Sequence, residues 1–192
     1  MSLRTTRALF GALDAGCNLA PWWRSGQLDR LLDEDHATLV GRAVEWLRRH
    51  GWHVDLEVTF AVYSERGSID LLATRRSDRS VLVVEVKTRL MSVEELLRTL
   101  DRKVRLASQI VHEREGWRPA VVGRLVVLAD DSTNRRRVAR SAALAAAFPM
   151  RSWALNEWLD HPEGAPAGRR FCHPVTARLV GAGPSLASGF EG

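Results

Sequence analysis

The sequence predicts an α/β fold in which one mixed central sheet is flanked by helices, in the order α-β-β-β-α-β-α. Apolar residues recur at three- and four-residue steps in segments 25–50, 92–112 and 133–147, which is the helical period. Between these segments lie short, nearly uninterrupted apolar runs, which are typical of strands covered on both faces. With 192 residues, 45% of them hydrophobic, the chain can form one sizeable core plus extensions.

The first half of the chain predicts one helix and three strands. Ser25 is a plausible N-cap and Gly51 a plausible stop for the first helix. HVDLEVTFAVY (53–63) alternates enough for a partly exposed strand. GSIDLLAT (67–74) and SVLVVEVKT (80–88) follow as two buried strands separated by a short polar break.

The second half adds a helix, a strand and further helices. Ser92 and Glu95 form a capping box that begins a helix ending near His112. AVVGRLVVLAD (120–130) is the next strand, after which Ser132 or Thr133 caps an Ala-rich helix to about Ala147. A short helix is predicted around 153–159.

These elements divide the chain into three parts. Residues 1–26 form an N-terminal extension, and residues 27–160 form the α/β domain. Residues 161–192 are rich in Gly, Ala, Pro and Ser and are predicted to be a flexible tail with one docked strand at 170–175.

The composition narrows the class of partner. A formal charge of +5 fits a polyanion such as nucleic acid. No apolar run approaches the length of a membrane span, and the N-terminus lacks a signal peptide. Cys17 and Cys172 have no metal-type spacing, so we expect free thiols in a reducing cytoplasm.

Charged residues interrupt the two buried strands. A hairpin centred between Ser77 and Asp78 would place Asp70 opposite Glu85, with Glu85 and Lys87 on one face. Carboxylates paired across a ladder lie about 5 Å apart at Cβ and repel each other in apolar surroundings. Either a structural ion network with Lys87 or a divalent cation such as Mg²⁺ would relieve this cost.

Lysine is rare in this chain. Of 28 cationic residues, all except Lys87 and Lys103 are Arg. Lysine is a compact point charge with a tunable pKa, whereas arginine is wider and permanently protonated. Retention of lysine at position 87 therefore suggests a role for its ammonium, although chance placement is the alternative.

The pattern of Asp70 on one strand and Glu85-Val86-Lys87 on the next resembles the signature of the PD-(D/E)XK nuclease superfamily, in particular its resolvase-like and restriction endonuclease-like members. The chain also resembles uncharacterised bacterial proteins in which a helix-turn-helix precedes such a domain. The resemblance covers roughly residues 27–160 and implies a restriction endonuclease-like core.

The resemblance also implies roles for these residues. Asp70, Glu85 and the backbone carbonyl of Val86 would bind Mg²⁺ or Mn²⁺, and Lys87 would orient the attacking water or stabilise charge on the phosphate.

Many members of the superfamily carry a further acid in the first helix. The matching position here is Val40 or Gly41, and Glu45 lies around the helix from it, where pairing with Arg49 is the simpler role. One metal is therefore expected rather than two. His36 could reach the site or be a buried structural histidine.

Other basic residues are candidates for DNA contacts. Lys103 leans toward the sheet and would contact phosphate, support the site or extend over the core edge. Arg135, Arg136 and Arg137 are predicted in the first turn of a helix, where a DNA phosphate would offset their unfavourable interaction with the helix dipole. A solvated surface cluster is the alternative.

We therefore expect a cytoplasmic, Mg²⁺-dependent endonuclease acting on DNA. The alternatives are a DNA-binding or regulatory protein that keeps the fold without turnover, and a partner-dependent defence or toxin nuclease. The N-terminal extension is short for a full helix-turn-helix, so either a homodimer or a separate DNA-reading partner is conceivable.

Overall fold

The fold is that of a computed structural model, which describes residues 26–172. The chain divides into two compact units, 1–31 and 32–192, and the whole sheet belongs to the second. The predicted N-terminal extension and Ser25 cap, and the tail beyond Cys172, lie outside the described residues.

Residues 26–172 form six strands and five helices, in this order: α1 Gly26–Arg49, β1 His53–Val62, β2 Glu65–Arg75, β3 Ser80–Lys87, α2 Val93–Glu115, β4 Val121–Ala129, α3 Ser132–Arg140, α4 Ala142–Ala147, β5 Met150–Arg151, α5 Ser152–Asp160 and β6 Ala167–Cys172. The strands form one sheet in the order β1-β2-β3-β4-β6-β5. The β1-β2 and β2-β3 pairs are antiparallel, and the other pairs are parallel. The predicted mixed α/β sheet flanked by helices is confirmed.

Strand β3 lies at the centre of this core. Its residues from Ser80 to Val86 are all buried, because each face of the sheet carries its own apolar layer. Leu82, Val84 and Val86 pack with side chains of α1 and α5. Val81 and Val83 pack with side chains of α2, α3 and α4. Full burial of each valine favours folding by about 1.5–3 kcal/mol.

Helix α2 begins and ends where local chemistry dictates. The Ser92 hydroxyl accepts a hydrogen bond from the Glu95 amide at 3.2 Å, as the capping box predicted. At the other end, Gly116 adopts φ 77°, a left-handed conformation that glycine tolerates without a Cβ clash. The helix therefore runs one turn further than predicted.

The C-terminal part departs from the sequence expectation. Asp131, rather than Ser132 or Thr133, caps α3 by accepting from the amides of Thr133 and Asn134. The expected single Ala-rich helix divides at Ser141, whose hydroxyl caps α4 by accepting from the Leu144 amide.

The sheet also extends past the domain end predicted at residue 160. Strand β6 occupies 167–172, earlier than the predicted docked strand, and pairs with both β4 and β5. Within residues 26–172, no helix is long and apolar enough to span a bilayer.

Candidate functional site

The β2-β3 hairpin has the predicted register. Paired residues run from Arg75↔Ser80 to Leu71↔Val84, which makes Asp70 and Glu85 the next opposed positions. Beyond Leu71 the ladder is replaced by a side-chain contact, since the Asp70 carboxylate accepts a hydrogen bond from the Val86 amide at 2.8 Å. The strands therefore part where the acids lie.

A kink in β1 lies beside Asp70. Glu57 has φ 46°, which is strained for a residue with a side chain, and no ladder pair joins it to Asp70. Before the kink, Val54 packs in the layer that contains α1, and after it Val58 packs in the layer that contains α2. Strands β1 and β2 are therefore not paired at the position of Asp70.

Lys103 joins the two acids. Its Nζ lies 2.5 Å from a Glu85 oxygen and 3.3 Å from an Asp70 oxygen. Glu85 is 2% exposed and Lys103 is 4% exposed, so this ion triad is largely withdrawn from water. The carboxylates converge on one cation, which the sequence anticipated, but the cation is an ammonium from α2.

The position of Lys103 follows from helix α2. Lys103 lies within the buried stripe of α2, between Leu100 and Leu106, and the stripe faces the sheet. The predicted contact between Lys103 and DNA does not fit a side chain that is 6% exposed and already pairs with two carboxylates.

Lys87 completes the cluster from the end of β3. Its Nζ lies 2.8 Å from the second Glu85 oxygen, and 40% of its side chain is exposed. Burial alone would lower the pKa of Lys87, but the hydrogen bond to Glu85 and the charges of Glu85, Asp70 and Glu95 raise it above 10.5. The Lys87 ammonium therefore stays charged at neutral pH.

Two clefts meet at Lys87. One has a volume of about 1070 Å³ and is lined by Asp70, Glu57 and side chains of α1. The other, of about 300 Å³, is lined by Glu85, Glu95 and the segment that links β3 to α2. An elongated ligand could therefore reach the ammonium from either side.

Helix α1 contributes no acid to the larger cleft among the described residues. Its lining positions include His36, Val40 and Gly41, so the half-buried His36 faces the same cleft as Asp70. Glu45 lines a separate cleft instead. The Arg49 side chain donates to the Glu45 carbonyl oxygen at 3.4 Å.

In the described ion pairs the three consecutive arginines do not contact Asp70 or Glu85, but Arg137 contacts Leu90, which lines the smaller cleft at Lys87. Arg135 pairs with Asp130, Arg136 donates to the Ser132 carbonyl, and Arg137 donates to the Leu90 carbonyl. Since α3 begins at Ser132 and is short, Arg137 belongs to its last turn, not its first as predicted. Asp131 already provides an anion at the helix N-terminus.

The donor set at the site is small. Among residues 26–172, no three His, Cys, Asp or Glu side chains are placed to hold a metal together. Two carboxylates suffice for Mg²⁺, which keeps several waters and takes substrate phosphate oxygens as further ligands. Asp70 and Glu85 both contact a single positive charge, the Lys103 ammonium.

Sequence reasoning missed Glu57 and only partly anticipated Lys103. Support of the site was one of the predicted roles of Lys103, and its bridge between the two acids had a sequence signal, because a lysine interrupts an otherwise apolar stripe of α2. Glu57 had none, because its acid fits the ordinary alternation of an exposed strand edge and its φ of 46° is a tertiary feature.

Comparisons with known proteins establish no family. No family model matches the chain, and no curated protein matches it. Among solved structures, a crystal structure described as protein of unknown function AF1548 aligns with 13% identity and a TM-score of 0.34. The alignment covers 55% of this chain and about half (53%) of that one, and similarity at this level does not establish a shared fold.

Proposed function

We propose that the protein is a divalent-metal-dependent DNA endonuclease with a restriction endonuclease-like core of the PD-(D/E)XK superfamily. One observation supports this most. Asp70 and Glu85, from adjacent strands, each line an open cleft and converge on a single cation, with a second ammonium from Lys87 alongside. Buried charge of this kind seldom stabilises a fold over apolar residues, which favours a functional reason for it.

Each residue has a distinct role in the proposal. Asp70 and Glu85, with the Val86 carbonyl, would hold Mg²⁺ or Mn²⁺. Bound there, the ion would polarise the scissile phosphate and lower the pKa of a coordinated water. The hydrogen bond from the Val86 amide fixes one Asp70 oxygen, which leaves the other directed at the cation position.

Lys87 acts as a charged donor in this proposal. Although burial lowers it, the Glu85 hydrogen bond and the neighbouring carboxylates raise the pKa of Lys87 in the metal-free protein, and an ammonium has no lone pair with which to accept a proton from water. Its chemistry is to stabilise negative charge that develops on the phosphate oxygens. Glu85 holds the ammonium in place through their 2.8 Å contact.

A DNA-binding protein without turnover is the second candidate. Two observations favour it: Lys103 already pairs with both acids, and α1 presents no acid to the Asp70 cleft among the described residues. In that case Lys103 would be a permanent structural cation and would not be displaced by a metal.

A nicking assay separates the two candidates. Supercoiled plasmid and labelled oligonucleotides are incubated with wild type and Asp70→Asn in Mg²⁺, Mn²⁺ or EDTA. Cleavage by the wild type in metal, abolished by EDTA and by Asp70→Asn, supports the endonuclease. Absence of cleavage in every metal, with DNA binding retained, supports the regulatory protein.

A further inference from the structure

A second cationic cleft lies on the same sheet edge as the site. Its volume is about 470 Å³, and its lining includes four arginines and one acid. We call it the arginine cleft: Arg135, Arg151, Arg169 and Arg170, with Trp153 and Phe171. The excess of arginine gives the cleft a net positive charge, since Asp130 is the single acid in its described lining and pairs with Arg135.

The sheet holds these cations close together. Arg151 and Arg169 are cross-strand partners on β5 and β6. Burial, together with the nearby charge of Arg151, lowers the pKa of Arg169, which is 7% exposed and donates to the Phe148 carbonyl. Repulsion between the two guanidinium groups costs free energy that a bound anion would offset.

Arg170 and helix α5 add to the positive potential. The Nε of Arg170 is buried without a hydrogen-bond partner among the described residues, and its guanidinium lies 4.2 Å from the Trp46 ring centroid. Helix α5 begins after Arg151, which provides no side-chain cap, so its first amides add positive potential.

An aromatic surface lies beside the cations. Trp153 is 74% exposed, which is unusual for a large apolar indole. Exposed aromatic rings next to arginines are how proteins bind single-stranded nucleic acid, because an unpaired base stacks on the ring while phosphates meet the cations. A base within a duplex has no face free for such stacking.

The distance to the proposed active site suits one continuous strand. Lys87, Leu128 and Phe171 are successive neighbours across β3, β4 and β6. At about 4.8 Å per strand, the arginine cleft begins about 10 Å from Lys87. A few nucleotides of a single strand would span this distance.

We propose that the arginine cleft binds a single-stranded segment of DNA, with Arg151 and Arg170 contacting phosphates and Trp153 stacking on a base. The proposal rests on the endonuclease function for the identity of its ligand, and it gives that function a substrate class. The substrate is DNA with an unpaired segment next to the cleavage position, such as a fork, a flap or a gapped duplex.

Binding in EDTA tests the cleft without any cleavage. Fluorescence anisotropy of a labelled 20-nucleotide dT strand and of a blunt duplex is measured for wild type, Trp153→Ala, Trp153→Phe, Arg151→Ala and Arg76→Ala. Arg76 is the matched control, an exposed arginine in the β2-β3 turn at the opposite sheet edge. Trp153 and Arg151 are both exposed, and thermal melting checks that each variant is folded.

Trp153→Ala should weaken single-strand binding by about five- to hundredfold while changing duplex binding little, and Trp153→Phe should retain most of the affinity. Arg151→Ala should reduce the slope of log affinity against log salt by about 0.7, and Arg76→Ala should leave it unchanged. Unchanged single-strand affinity in Trp153→Ala and Arg151→Ala overturns the proposal, even if the wild type cleaves DNA. Loss of binding in those variants upholds the cleft, even if no metal supports cleavage and the endonuclease function fails.

Discussion

At the level of single residues, Lys87 is the most exposed of the four charged side chains in the cluster of Asp70, Glu85, Lys87 and Lys103. Its ammonium is held by Glu85, and 40% of the side chain remains open to solvent. Apart from Lys87 and Lys103, all 26 cationic side chains of the chain are arginines, so the composition favours arginine wherever charge alone is needed. A lysine here points to a need for a compact donor.

Lys87→Arg should therefore keep the fold and DNA affinity but lose most cleavage. The wider guanidinium cannot occupy the same position, and a displacement of about 1 Å near the reacting phosphate costs on the order of a hundredfold in rate. Cleavage rate, DNA affinity and melting temperature are measured together. Arg89→Lys, the reverse exchange at an exposed neighbour in the same cleft, is the control and should cut normally. A near wild-type rate in Lys87→Arg would remove the special role of the ammonium.

The charge state of Lys87 gives a pH dependence. Since its folded pKa is raised above 10.5, the stabilisation from its pairing is fully present below that value and is lost as pH rises through the folded pKa. The difference in urea midpoint between wild type and Lys87→Met should thus be constant from about pH 6 to about pH 9 and shrink at higher pH. A difference that already shrinks near pH 8 would mean that burial outweighs the neighbouring carboxylates.

Lys103 offers a test of the cation position. Lys103→Met removes the cation that joins Asp70 and Glu85 and leaves only the Lys87 ammonium, which contacts Glu85 alone, so the change should cost about 3–5 kcal/mol in metal-free protein. Mg²⁺ should then raise the melting temperature more in the variant than in wild type, because no ammonium has to be displaced.

Arg98→Met, on the exposed side of the same helix, is the matched control for Lys103→Met and should change stability by less than about 0.5 kcal/mol. Two results would count against a shared position for ammonium and metal. One is wild-type stability in Lys103→Met, and the other is a Mg²⁺ response that persists in Asp70→Ala.

At the level of elements, the segment after β3 is held by one buried side chain from α3. Asn134 is fully buried; it accepts from the Leu90 amide at 3.0 Å and donates to the carbonyls of Thr88 and Ala129 and to the Asp131 carboxylate. These bonds fix the wall of the smaller cleft directly beyond Lys87.

Asn134→Ala should lower the free energy of unfolding by roughly 1–3 kcal/mol, because it leaves buried backbone groups without partners. It should also slow cleavage, since the segment that follows Lys87 loses its attachment. Urea denaturation measures the first effect and the nicking assay the second. Asn134→Asp, which places a buried carboxylate oxygen against two carbonyls and the Asp131 carboxylate, should be at least as destabilised. A loss below about 0.5 kcal/mol in Asn134→Ala would contradict this role.

The same elements show what a sequence can predict. The β2-β3 register was predictable because a short turn at Ser77–Asp78 fixes which residues face each other. Helix α2 was predictable because its cap is local to Ser92. The division of the next helix at Ser141 was not, because helix propensity in an Ala-rich run gives no sign that a serine will cap a new helix.

At the level of the whole molecule, the acids of the site could be predicted and their immediate partners only in part. Asp70 and Glu85 are brought together by pairing between neighbouring strands, which sequence patterns encode. The contact from Lys103 depends on how α2 packs on the sheet. The arginine cleft depends on the short strand β5 and on β6, which joins the sheet beyond the predicted domain end. Such long-range packing leaves little local signal.

The position of a bound divalent ion is the most direct test of whether Asp70 and Glu85 form a metal site. Crystals of the protein soaked in Mn²⁺ are measured near the manganese absorption edge. We expect an anomalous difference peak between the Asp70 and Glu85 carboxylates, with the Lys103 ammonium displaced from the position it holds between them. A peak elsewhere, or none while Lys103 still bridges both acids, would contradict the claim that this cluster is a metal site.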